Sequence, residues 1–84
     1  MKLGDKVIVC SGDPKDKDNL AVGFLIGYEP IGKIYKTEIP RVLIRSKEYL
    51  CFGIVEKFEA NLMMTLTHMQ PKEQWNYLIE RRKK

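Results

Sequence analysis

The sequence predicts a mainly β fold: a small barrel of about five antiparallel strands with one C-terminal α-helix. Three observations predict it. Short β-branched or alternating runs recur between turn signals. Glycines sit inside those runs, as tightly coiled sheets require. Helical periodicity is clear only after Pro71.

The opening Leu3-Gly4-Asp5-Lys6-Val7-Ile8-Val9-Cys10-Ser11-Gly12 is a turn, a β-branched run and a stop. Lys6–Cys10 is therefore the first strand. Residues 11–19, SGDPKDKDN, are dense in turn formers and read as a polar loop. Leu20–Tyr28 is the second strand. Leu20, Val22, Phe24, Ile26 and Tyr28 share one face at period two, and Ala21, Gly23, Leu25 and Gly27 share the other. Pro30 and Gly32 mark a turn. Residues 34–46 are extended, broken or bulged at Pro40, which suits a sheet edge. Lys47-Glu48 is a tight connection, and Tyr49–Phe58 alternates as a further strand. Leu62–Met69 fits either a strand or a helix: Leu62, Met64, Leu66 and His68 alternate, while Met and Leu favour helix. Pro71 then starts a helix of about three turns, with Trp75, Leu78 and Ile79 as its apolar stripe.

The chain has 84 residues, enough for one domain over 1–80 followed by a basic tail, 81–84. A domain of this size buries roughly 60–65% of the surface its unfolded chain exposes, so it holds one modest core. With 44% hydrophobic and 31% charged residues, the composition is that of a folded protein. The formal net charge of +4 is carried by Arg81, Arg82, Lys83 and Lys84; without them the chain is neutral. Basic residues at a helix C-terminus complement the macrodipole.

Cys10 and Cys51 are the only cysteines, and both fall in apolar runs, as small core residues do. Two cysteines and the single His68 do not make a zinc site. Asp13, Asp16 and Asp18 have part of the spacing of a calcium loop, but Leu20 stands where a further ligand would be needed. No nucleophile has a base at a catalytic spacing, and no glycine cluster precedes a helix start. The expectation is a non-catalytic protein with no cofactor and no metal. No apolar run approaches the length of a membrane helix, so no membrane partner is expected and a cytoplasmic location is the default. A chain of this size is also common among phage proteins.

Gly4-Asp5-Lys6-Val7-Ile8-Val9 with Ser11-Gly12, followed by a charged loop and Gly23-Phe24-Leu25-Ile26, resembles a KOW motif. That motif opens the SH3-like barrel of some ribosomal and transcription-elongation proteins. The resemblance covers residues 3–26. It implies that the predicted barrel is SH3-like.

Function is sought in the surface residues. Tyr28, Tyr35 and Tyr49 each combine an apolar ring with a polar tip and are the candidate partner-binding residues. Tyr28 and Tyr35 flank the Pro30–Gly32 turn and are expected at one rim of the barrel. Met63, Met64 and Met69 form a second adaptable apolar set. The first expectation is a binding module acting through a protein partner, as adaptor or inhibitor, with self-association into a homo-oligomer included. The alternative is nucleic-acid binding through Arg41, Arg45, Lys47, Arg81, Arg82, Lys83 and Lys84, which needs those groups on one face. A third reading is a nucleotide-like small ligand held at a dimer interface.

Overall fold

The structure is a computed structural model that describes residues 1–17, 19–32 and 37–83. Five strands, β1 (Lys6–Cys10), β2 (Leu20–Ile31), β3 (Thr37–Ile44), β4 (Lys47–Leu50) and β5 (Ile54–Lys57), precede two helices, α1 (Ala60–Thr67) and α2 (Pro71–Arg82). The strands form one antiparallel sheet in the order β4-β3-β2-β1-β5. Among the described residues β4 and β5 share no ladder, so the sheet is open rather than a closed barrel.

β1 lies inside the sheet, between β2 and β5, and explains its own composition. The run Val7-Ile8-Val9-Cys10 is apolar at every position because both faces are covered. Val7 joins Leu25, Val42, Cys51 and Val55 in one core, with Val9 and Ile44 packed against it. Ile8 and Cys10 join Ile54, Leu62, Leu66 and Leu78 in a second core, beneath the helices. The expectation of one core is corrected to one on each side of the sheet.

Four further expectations are corrected. First, Ala60–Thr67 form a helix, which resolves the stretch left open over 62–69 as helical as far as Thr67, so the chain ends in two helices, not one. Leu62 and Leu66, four apart, are the buried pair on α1, and helical period wins over period two. The β-branched threonines fit because their hydroxyls turn back on the helix: Thr65 Oγ1 donates to Asn61 O at 2.9 Å and Thr67 Oγ1 to Met64 O at 2.8 Å. Second, the span read as one strand over Tyr49–Phe58 splits into β4 and β5 around Cys51-Phe52-Gly53. Third, the tight connection is Arg45-Ser46, with Lys47 and Glu48 already in β4. Both turn residues have positive φ, 51° and 68°, as a two-residue hairpin with primed geometry demands. Fourth, Pro40 causes no break: β3 runs through it, and its carbonyl accepts from Cys51 N–H at 2.8 Å. β3 lies between β2 and β4 rather than at an edge over Arg41–Ile44.

The irregularity lies in β2 instead. The β2–β3 register shifts between Leu25 and Gly27, so Ile26 is an extra residue on β2. Leu25 pairs with Val42, Gly27 with Arg41 and Tyr28 with Pro40. One extra residue flips every side chain that follows it. Tyr28 is thereby placed on the face opposite to Phe24, not on the same face. β2 itself runs past Tyr28 to Ile31.

α2 begins as predicted. Pro71 occupies the first turn, and Gln70 N–H is received by Glu73 Oε1 at 3.4 Å. Leu78 is fully buried, and Trp75 and Ile79 pack partly buried against the helical core.

Candidate functional site

An apolar cleft of about 650 Å³ opens at one end of the sheet. Val9 of β1, Val22 of β2 and Ile44 of β3 line it, with Tyr49 and Leu50 of β4, and Phe52 and Met63 beyond. Asp16 and Arg45 stand among its lining residues as the charged groups. Gly53 shapes the wall. A Cβ at this position would collide with the Cys10 carbonyl, so only glycine lets the 51–53 segment lie against the end of β1.

Two aromatic rings border the cleft in the open. Tyr49 is 47% exposed and Phe52 is 73% exposed. Tyr49 is opposite Val42 and so points to the same side of the sheet as the Val42 core. Tyr28 is 44% exposed on that same side but lies further along the β2–β3 hairpin, opposite Pro40. It does not line the cleft. Tyr35 lies outside the described residues, so the Tyr28–Tyr35 rim has no geometry here. Phe52 is the residue that sequence reading missed. Period-two alternation assigned it to a strand; the signal against that was Gly53, which interrupts a run already long for one strand.

Among the described residues the basic side chains fall in two groups, Arg41, Arg45 and Lys47 on the β3–β4 side of the sheet and Arg81 to Lys83 at the end of α2, where Arg82 meets β5 at the other edge. Arg41 is held between Glu29 at 2.6 Å and Glu48 at 3.4 Å. Arg81 and Arg82, read as a tail, form the last turn of α2. Arg81 faces Glu59 at 3.8 Å, and Arg82 pairs with Glu56 at 2.8 Å. Lys83 pairs with Glu80 at 3.3 Å. Lys84 lies outside the described residues. Arg45 and Lys47 make no ion pair among the described residues, and both sit at the β3–β4 turn end.

Both thiols are buried. Burial pushes Cys10 and Cys51 above the ordinary thiol pKa, outweighing hydrogen bonding from the Gly12 and Gly53 backbone. They are therefore inert as nucleophiles. Among the described residues no three His, Cys, Asp or Glu side chains gather as a metal site. His68 is exposed just after α1. Among the described residues no helix is long and apolar enough to cross a membrane.

No family model matches the chain, and neither curated proteins nor solved structures provide a match to it.

Proposed function

We propose that the chain is a small non-catalytic binding module that acts through a protein partner. One observation carries this reading: the 650 Å³ apolar cleft is bordered by the exposed rings of Tyr49 and Phe52, with Arg45, which makes no ion pair among the described residues, beside them. Exposed aromatics around an apolar depression, with a guanidinium at the rim, are the composition of protein-binding hot spots. Tyr28, on the same side of the sheet, extends that surface along the hairpin; Tyr35 belongs to the same proposal. The strand order β4-β3-β2-β1-β5, with its bulge in β2, supports an SH3-like arrangement opened between β4 and β5.

Nucleic-acid binding has less support. Four of its named cations, Arg41, Arg81, Arg82 and Lys83, are already engaged by carboxylates. Among the described residues that leaves Arg45 and Lys47, a small footprint for a phosphate backbone.

The test is capture from a lysate of the source cell with immobilised protein, with nuclease treatment in parallel. The same experiment is run with Tyr28→Ala/Tyr49→Ala and with Phe52→Ala. The expected result is a discrete polypeptide that survives nuclease and is lost with the variants, while circular dichroism shows them folded. Capture that nuclease abolishes, or that the folded variants leave unchanged, overturns the reading.

A further inference from the structure

We propose that the open edge of β4 pairs with a second copy of this chain, antiparallel and two-fold symmetric about Tyr49. The inference rests on reading the Tyr49–Phe52 surface as a protein interface, and it names the partner.

The two sheet edges differ. In an antiparallel ladder, alternate residues turn their N–H and C=O groups toward the neighbour and away from it. On β5, Phe58 N–H bonds Lys6 O, so Ile54 and Glu56 face β1 and Val55 faces outward. That outward edge is occupied: Arg82 Nη2 donates to Val55 O at 2.9 Å. On β4, Cys51 N–H bonds Pro40 O, so Tyr49 and Lys47 face β3, and Glu48 and Leu50 face outward. No described residue bonds the outward backbone groups of Glu48 or Leu50. An unprotected edge beside exposed aromatics is a template for another strand.

The edge is complementary to itself. An opposing copy centred on Tyr49 sets Glu48 opposite the partner's Leu50 and Leu50 opposite the partner's Glu48. Both are outward-facing pairs, and each exchanges two backbone hydrogen bonds. Tyr49 meets the partner's Tyr49 across the axis as a close aromatic pair. Beyond the ends of β4, the same axis turns the exposed Phe52 of each copy toward the Arg45-Ser46 turn of the other. The symmetry thus brings an exposed ring toward a guanidinium that makes no ion pair among the described residues, and does so twice, as isologous contacts do. A register centred on Glu48 would instead set two carboxylates directly opposite each other, which is unfavourable.

Sedimentation equilibrium of the wild-type chain, from a few μM to about 1 mM, tests this, because short edge interfaces fall at the weak end of association. The weight-average mass is expected to climb with concentration toward twice the 9.8 kDa chain mass. Glu48→Pro removes an outward donor that bonds no described residue, together with the exposed carboxylate that faces Arg41 at 3.4 Å. Tyr49→Lys places two ammonium groups together at the axis. Each is expected to weaken the dimer at least tenfold while circular dichroism stays that of the parent. If Glu48→Pro does not fold, Tyr49→Lys decides. A wild-type chain that stays monomeric throughout overturns the inference, even if the capture experiment finds another partner. A dimer that the folded variants leave unchanged also overturns it. A dimer weakened by both variants supports it, whatever the capture experiment shows.

Discussion

Asn19, at the end of the polar loop, donates from Nδ2 to Oε1 of Gln74, one turn into α2, and both side chains are buried. Neither amide leaves a polar atom unpaired. Asn19 Oδ1 receives the Ser11 hydroxyl at 2.8 Å. Gln74 Nε2 donates to Leu66 O at 2.8 Å and to Met69 O at 3.2 Å. Gln74 thus bonds the Leu66 carbonyl in the last turn of α1, which also accepts from Met69 N–H at 3.0 Å, and the Met69 carbonyl just beyond it, and ties α1, α2 and the loop together.

Gln74→Leu keeps the volume and removes the whole junction. It leaves Asn19 Nδ2 buried with only the Cys10 sulfur, at 3.9 Å, as acceptor. The expected cost is about 1–3 kcal/mol, measured by urea denaturation. Asn19→Ala is expected to cost less in the Gln74→Leu background than in the parent, because the two share one network. Additive costs would show that the junction does not act as a unit.

Gly12 lies against the Trp75 ring, and its φ is +74°. A Cβ there would enter the indole. Gly4 also has positive φ, +92°, but has open space around it. Both alanine variants pay for the left-handed backbone, roughly 1–2 kcal/mol. Gly12→Ala must displace Trp75 as well, so its melting temperature should fall clearly below that of Gly4→Ala. Trp75→Ala should itself cost about 3 kcal/mol, the low end for a large aromatic, because the ring is only partly buried. Equal melting points for the two glycine variants would show that the loop gives way freely.

Arg82 closes the β5 edge and pairs with Glu56. The pair is partly exposed, so Arg82→Ala should destabilise by no more than about 1 kcal/mol. In a domain this small that lowers the melting temperature by about 4–8 °C. The larger effect is expected in association. With the Val55 carbonyl uncovered, light scattering at raised concentration should show more aggregate than the parent gives.

The cysteines make stability fall in alkaline solution. In the folded chain, burial raises both thiol pKa values; in the unfolded chain they ionise at about 9. The unfolded state therefore loses protons first as pH rises. The contribution is complete below pH 9 and is lost as pH climbs toward the folded values. Thermal melts from pH 7 to 10 should show the decline, and a Cys10→Ala/Cys51→Ala variant should show less of it. At pH 8 both thiols should react with a disulfide reagent far more slowly in buffer than in denaturant.

Local chemistry made part of this molecule legible. The β-branched run of β1, the turn formers of 11–19 and Pro71 at a helix start each act within a few residues, and each lies where the sequence places it. The uninterrupted apolar stretch Val7–Cys10 fits the cover found on both of its faces, but its strand reading alone left the second core unseen. The surface was harder to read. Tyr49 and Arg45 were singled out from residue type alone, and Phe52 was passed over because period-two alternation treats every member of a run alike.

Tertiary structure decided what depends on partners far along the chain. Residues 62–67 can obey either period, and burial of Leu62 and Leu66 beside Leu78 selects the helix. The extra residue at Ile26 cannot be seen in β2 alone, because a bulge exists only relative to β3; yet it determines which way Tyr28 faces. Arg81 and Arg82, counted with the basic tail, become ion-paired once α2 lies beside Glu56 and Glu59. Composition and periodicity record what each residue prefers. Register, edge exposure and charge pairing are properties of two segments at once, and only the folded chain specifies them.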